Sequence, residues 1–306
     1  MSKILITGGL GFQGSHLTEH LLNDGHEVTV LSTLSKASKK NYELLPKKPT
    51  VVWGSITDKE VVNKTVREQD VVFHLAAYIN VDESIQYPEL TIQTNVNGSV
   101  NVLNAARDND TRFILVSSCE VYGTPEGNRL IDEETELRPY SPYASSKAAV
   151  DRICFSYFKT YGLKGTIIRP FNVFGERQKE CKFGSVIPIF VREAMKGNNL
   201  KVHGTGEQTR DYMHVSDLIR AYDLILKSKN VNEEVYNFGT GVETSIKNIA
   251  EHIAERFNVK VDYVEGRHGQ VMNFCADITK AKKLGFSPEV DIWTGINKYI
   301  YWRKNL

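Results

Sequence analysis

The 306-residue sequence has no C-x-x-C pair and no apolar run long enough to cross a bilayer. Its four cysteines, Cys119, Cys154, Cys181 and Cys275, stand far apart. Such spacing argues against a zinc site and fits a reducing compartment, so no metal is expected. No basic block accompanies the net charge of +1. Nucleic acid and membrane surfaces are therefore not expected as partners. The first residues run from MSK directly into an apolar strand, without the longer apolar core and small-residue cleavage site of a signal peptide. These absences lead to the expectation of a cytoplasmic protein. Internal repeats and low-complexity tracts are missing too.

What is present is a globular composition, 41% hydrophobic and 25% charged. The runs KILITGG, HEVTVLS, PTVVWGS, DVVFHLAA, RFILVSS and GTIIRPF are rich in Val and Ile and too short for helices, so they predict buried strands. Helix-length segments such as SHLTEHLLNDG and TIQTNVNGSVNVLNAARDND lie between them. The first carries Leu17, His20 and Leu21 at helical spacing and stops at Gly25. This alternation predicts an α/β fold, a Rossmann doubly wound parallel sheet. The dinucleotide-binding domain is expected over residues 1–170. From about Phe171 the alternation loosens, and residues 171–306 are expected to form mostly a smaller α/β part that binds substrate. A segment at about 209–240 is expected to return to the sheet.

In ILITGGLGFQGSHL, Gly8, Gly11 and Gly14 follow the first strand and open a helix. Glycine lets the backbone turn tightly and approach a pyrophosphate, and the helix start offers free N–H groups. An acid about twenty residues on would read the ribose 2′-hydroxyl of NAD. Here the second strand ends on Ser32 and Thr33, with Lys36, Lys39 and Lys40 close behind. Hydroxyls and lysines suit a 2′-phosphate, although a solvated lysine loop has the same composition. The expected cofactor is NAD or NADP, tightly bound, with NADP favoured.

Tyr143 and Lys147 in YASSK stand one helical turn apart. An ammonium beside a phenol lowers the phenol's pKa, which would make Tyr143 a base near neutral pH. Ser118 lies upstream in SSCEVYG. TGGLGFQGSHL, HLAA, NVNG, SSCEVYG, SPYASSK, RPFNVFG, TRDYMHVSDL and YNFGTG occur in this order over almost the whole chain. In this the sequence resembles the extended short-chain dehydrogenase/reductase family, the nucleotide-sugar epimerases and dehydratases.

The resemblance implies that Ser118 bonds the sugar's 4-oxygen and that Tyr143 takes the 4-hydroxyl proton as a hydride leaves C4. Lys147 would hold the nicotinamide ribose. At the cofactor it adds Phe12 of the glycine loop, Ser55 and Ile56 after the third strand, Leu75, Ala76 and Ala77 of HLAA, Asn95 of NVNG and Pro170 of RPF. A Gly54-Ser55 pair replaces the family's usual Gly-Asp. For a sugar nucleotide bound between the two parts, the resemblance assigns the diphosphate to Asn172, Arg210 and Arg267, and the base to the neighbourhood of His203. Charge-assisted bonds from two arginines suit a diphosphate. Arg210 has Asp211 beside it as an alternative partner.

Glu120 separates the activities within the family. A 4-epimerase returns the hydride to the other face of the ketone and needs no second base. A dehydratase must remove the C5 proton while water leaves C6, and a carboxylate suits that task. Family 4,6-dehydratases and UDP-glucuronate decarboxylases carry Glu at this place. Here it follows Cys119, which either donates a proton to the leaving hydroxide or packs against the sheet. The expected order is dehydratase, then 4-epimerase, then decarboxylase. A non-catalytic dinucleotide sensor would need none of Ser118, Tyr143 and Lys147. By the same resemblance, segments 95–107 and 143–161 would pair two subunits into a homodimer; Val96, Val100, Ile153 and Phe158 either supply part of that contact or face their own sheet.

Overall fold

The computed structural model describes residues 1–124, 130–178, 185–266 and 272–306. The first elements are β1 Lys3–Thr7, α1 Phe12–Asn23, β2 Glu27–Ser32, α2 Lys36–Leu44, β3 Thr50–Trp53, α3 Lys59–Val66 and β4 Val71–His74. Next come α4 Val81–Gln86, α5 Pro88–Ile92, a π-helical turn at Gln93–Asn97, α6 Gly98–Asp108 and β5 Arg112–Val116. A 3-10 turn at Cys119–Tyr122 precedes α7 Pro142–Tyr161 and β6 Gly165–Pro170. The rest is β7 Val173–Phe174, α8 Val186–Met195, β8 Leu200–His203, β9 Thr209–Asp211, β10 Met213–His214, α9 Val215–Lys227 and β11 Glu234–Phe238. The chain ends with β12 Glu243–Ser245, α10 Ile246–Phe257, β13 Val261–Val264, α11 Thr279–Lys283 and α12 Ile292–Lys304.

The six apolar runs of the N-terminal half become β1 to β6. With β11 they make a seven-stranded sheet in the order β11-β6-β5-β4-β1-β2-β3. β1 lies between β2 and β4, parallel to both. Strand order reverses at β1, so the ends of β1 and β4 form the switch point where doubly wound folds take ligands. All four residues of β4 are buried, as befits a parallel strand covered on both faces.

The helical segment predicted across 91–110 is interrupted. The π turn adds one residue to the ring closed by each hydrogen bond and brings Asn95 into the interior at 1% exposure. α7 matches its sequence closely. Ser141 caps it by accepting from the Ala144 N–H at 3.0 Å, Pro142 opens the first turn, and Gly162 ends it in the left-handed conformation at φ 66°.

The chain forms two compact units. The first is Met1–Val121, Leu137–Pro170 and Ile219–Tyr236, and the second is Tyr122–Glu136, Phe171–Leu218 and Asn237–Leu306. In the first, Leu5, Leu31, Val72, Phe113 and Ile167 of the sheet pack with Val62, Val102 and Val150 of the helices. Phe158 belongs to this core rather than to a subunit interface: it is 1% exposed and lies against Gly165. Val96 and Ile153 are half-buried against the same core, and Val100 is half-buried on α6. The second unit holds three two-stranded sheets, β10 with β7, β12 with β9 and β13 with β8. Its core joins Phe174, Phe190, Leu200, Val202, Ile253 and Tyr299. Among the described residues, no helix is long and apolar enough to cross a membrane.

Candidate active site

The glycine-rich turn after β1 is tight enough to require its glycines. Gly8 sits at φ 72°, where a Cβ would lie 2.9 Å from the Ala76 nitrogen. A Cβ on Gly14 would come within 2.3 Å of the Gly8 carbonyl oxygen. α1 starts at Gly11 with no side-chain cap and no acid in its first turn, so its leading N–H groups and dipole face an anion unopposed. These features fit a dinucleotide pyrophosphate, with Phe12 in the first helical turn. Ser32 is buried at the end of β2, while Thr33 and Lys36 are exposed and Ser35 caps α2. Ser55 pairs its hydroxyl with Thr57, and Ile56 is buried where a Cβ on Gly98 would strike it.

A buried polar chain, unforeseen from the sequence, braces this turn. Thr7 meets His74 Nδ1 at 2.7 Å, and His74 Nε2 meets Ser99 at 2.8 Å. The Ser99 hydroxyl donates to the Asn95 carbonyl, so it accepts from Nε2–H. Nδ1 is then the acceptor from Thr7, whose oxygen accepts the Ala76 N–H. The chain needs a neutral imidazole. Burial, then the Lys147 charge, holds His74 down to about 3. The Asn95 amide continues the network, accepting from the Tyr78 N–H at 2.6 Å and donating to Ser146 at 2.9 Å. Leu75, Ala76 and Ala77 are thereby fixed, half-buried, beside the glycine turn. The sequence signal was one histidine inside an apolar strand.

Ser118, Cys119, Glu120, Tyr143 and Lys147 come together in the first unit. Tyr143 lies in the first turn of α7, and its N–H donates to Ser84 of α4 at 3.1 Å. Its phenol shares a hydrogen bond with the Ser118 hydroxyl. One turn on, the buried Lys147 ammonium donates to the Val116 carbonyl at 2.6 Å. Burial pulls Lys147 down to about 8, opposed by the Asp151 carboxylate. Asp151 is buried and bound by Arg169 at 2.9 and 2.8 Å, with Arg152 on its outer side. Burial pushes Asp151 up, but its guanidinium partners prevail and hold it below the ordinary carboxylate value. β6 carries Arg169 and ends at the buried Pro170.

The expected lowering of the Tyr143 pKa is not found. Burial raises it first, the Glu120 charge raises it further, and the Ser118 hydrogen bond only partly compensates. Desolvation of the phenolate outweighs the hydrogen bond that favours it. The same coupling places Glu120 near the phenol. Glu120 is exposed on the 3-10 turn and its N–H donates to the Ser118 hydroxyl at 3.2 Å. Cys119 is buried, outside any disulfide, and near enough to Tyr143 that a thiolate there would raise the phenol's pKa.

In the second unit, the Asn172 amide donates to the Asp211 carbonyl at 3.2 Å, and Arg210 is half-buried on β9. The Asp211 carboxylate takes donors from Thr240, Gly241 and Ala276. His203 ends β8 with Nδ1 at 3.0 Å from the Glu265 carbonyl, so Nδ1 carries a proton. Arg267 lies outside the described residues.

The model of the NAD dependent epimerase/dehydratase family matches residues 4–239. A Bacillus cytotoxicus UDP-N-acetyl-alpha-D-glucosaminuronate decarboxylase is 35% identical over 319 residues, covering 99% of this chain and 98% of its own. The Thermotoga maritima UDP-glucose 4-epimerase, solved with UDP-glucose, is similar at a TM-score of 0.93 and 31% identity, covering 99% of both chains. The Streptomyces venezuelae dTDP-glucose 4,6-dehydratase, solved with NAD bound, has a TM-score of 0.90 at 30% identity, covering 99% of this chain and 97% of that one.

Proposed function

The chain belongs to the NAD dependent epimerase/dehydratase family, and within that family we propose that it is a nucleotide-sugar dehydratase. It is an NAD(P)-dependent enzyme of nucleotide-sugar chemistry. The observation that carries the finer reading is the Glu120 carboxylate, exposed at the surface and close enough to Tyr143 to raise its pKa. A second ionisable base beside the oxidation site is what elimination requires and epimerisation does not.

When bound, NAD or NADP supplies a hydride acceptor. Ser118 bonds the sugar's 4-oxygen, and Tyr143 receives the 4-hydroxyl proton. Lys147 orients the nicotinamide ribose, and its positive charge favours the phenolate form of Tyr143. The resulting 4-ketone acidifies the C5 hydrogen, which Glu120 removes. Hydroxide then leaves C6 with a proton from the Cys119 thiol. If hydride then returns to C6, Glu120 would give its proton back to C5 and the product would be a 4-keto-6-deoxy sugar; if it returns to C4, Tyr143 would give its proton to the 4-oxygen and a 5,6-alkene would remain. Asn172 and Arg210 bind the substrate diphosphate, and His203 lies beside the nucleotide base. Two copies form a homodimer. The cofactor includes NADP, because Ser32 and Lys36 stand where an acid would repel a 2′-phosphate.

Mass analysis of products from UDP-, GDP-, CDP- and dTDP-sugars tests the reading. Loss of water is expected. No change in mass would favour a 4-epimerase, the second reading, supported by the likeness to the Thermotoga enzyme. Loss of carbon dioxide from a uronate would favour a decarboxylase, as the Bacillus relative is named.

A further inference from the structure

Asp211 is fully buried, and its carboxylate serves as a hub rather than as an ion-pair partner for the neighbouring arginine. One carboxylate oxygen accepts the Thr240 N–H at 2.8 Å and the Thr240 hydroxyl at 2.6 Å. The other accepts the Gly241 N–H at 2.9 Å and the Ala276 N–H at 3.3 Å, with the Cys275 thiol at 4.0 Å. Burial raises this carboxyl's pKa, and these donors offset only part of that cost. The hub is close-packed: a Cβ on Gly239 would lie 2.4 Å from the carboxylate.

The backbone of the same residue reaches the anion-binding candidates. Its carbonyl accepts the Asn172 amide at 3.2 Å, and its N–H donates to the Phe274 carbonyl at 2.9 Å. Arg210 precedes it on β9, where Thr244 of β12 is its register partner. The Arg210 guanidinium donates to the Thr209 carbonyl at 2.7 Å. Holding Asp211 therefore fixes the backbone on the C-terminal side of Arg210 and the acceptor that orients Asn172.

We propose that Asp211 is a positioning residue that sets Asn172 and Arg210 to receive a diphosphate. The inference rests on the reading of those two residues as the diphosphate contacts. If the carboxylate becomes an amide, one oxygen still accepts but the donors on the other face an NH2 group and lose their partner, so the loop at 239–241 or at 275–276 then shifts. The consequence is selective, because the base and ribose of a nucleotide do not depend on this pair.

Calorimetry on the full chain with UDP and uridine, and with dTDP and thymidine, provides the test. Wild type should bind one diphosphate far more tightly than its nucleoside. In Asp211→Asn, affinity for that diphosphate should fall about tenfold or more, with affinity for the nucleoside and for NAD unchanged. Thr240→Val, which removes one donor and leaves Asp211 in place, should show a smaller loss of the same kind and keeps the test open if Asp211→Asn does not fold. Unchanged diphosphate affinity in Thr240→Val and Asp211→Asn, or an equal loss for diphosphate and nucleoside, would overturn the proposal. Wild type that binds diphosphate no better than nucleoside would contradict the diphosphate reading itself, a result distinct from any behaviour of the variants.

Discussion

Asp151 lies one helical turn beyond Lys147 on α7, and the structure buries both. The Lys147 charge acts on His74 of β4, Tyr143 stands one turn before the lysine on α7, and Arg169 of β6 neutralises much of the Asp151 charge. Burial pulls Lys147 down to about 8 and Asp151 works against it. In Asp151→Asn that opposition disappears, so the lysine loses its proton at lower pH. Activity that needs the ammonium should then fall earlier as pH rises, and the alkaline limb of the kcat/KM profile should move towards acid. A limb in its wild-type place, with reduced thermal stability only, would assign Asp151 a purely structural role. Breaking this buried pair also leaves Arg169 uncompensated, at a cost of about 3–5 kcal/mol in stability.

The cofactor prediction rests on the absence of an acid at the end of β2, where Ser32 is buried and Lys36 opens α2. Wild type is expected to bind NADP at least as tightly as NAD. Ser32→Asp should shift preference to NAD through repulsion of the 2′-phosphate. Titration calorimetry with both cofactors checks it. Wild type that strongly prefers NAD would remove the case for NADP while leaving the hydride chemistry untouched.

Much of the fold was legible because parallel strands buried on both faces read as short apolar runs, as β1, β4 and β5 do, while β3 at the sheet edge is only half-buried. The α7 boundaries were written in Ser141, Pro142 and Gly162. Tyr143, Lys147, Ser118 and Glu120 could be chosen by residue type and order. Their electrostatics could not, since burial depends on which strands close over them. Spacing alone suggested a lowered phenol at Tyr143, and packing reversed its sign. The roles of His74, Asp151 and Asp211 were hidden for the same reason: their partners are 25, 18 and 29 residues away. Phe158 shows the converse, since an apolar helix residue reads alike whether it faces a partner subunit or its own sheet.

Assembly can be tested on exposed residues rather than on Phe158. Ile85 of α4 and Leu90 and Ile92 of α5 are 63%, 45% and 49% exposed, a cluster of apolar side chains next in sequence to the expected pairing segment. Light scattering at micromolar concentration should give the mass of a dimer. Replacing Ile85 and Ile92 by Lys should shift it towards a monomer without unfolding, because neither side chain is in the core. A monomeric wild type would contradict the homodimer.

The central claim is that Glu120 is the C5 base, and deuterium exchange tests it most directly. Wild type incubated with its sugar nucleotide in deuterated water should incorporate deuterium at C5 and lose water. In Glu120→Gln, C4 oxidation should survive, because Ser118, Tyr143 and Lys147 are intact and the charge that raises Tyr143 is removed. Loss of a positioned base typically costs about a hundred- to ten-thousand-fold in rate, so both exchange at C5 and elimination should disappear on the assay's timescale. Tyr143→Phe should block the earlier step instead, with no oxidation at C4. The account predicts a Gln variant that forms the 4-ketone and never exchanges C5. A Glu120→Gln enzyme that exchanges C5 and releases water at the wild-type rate would contradict it.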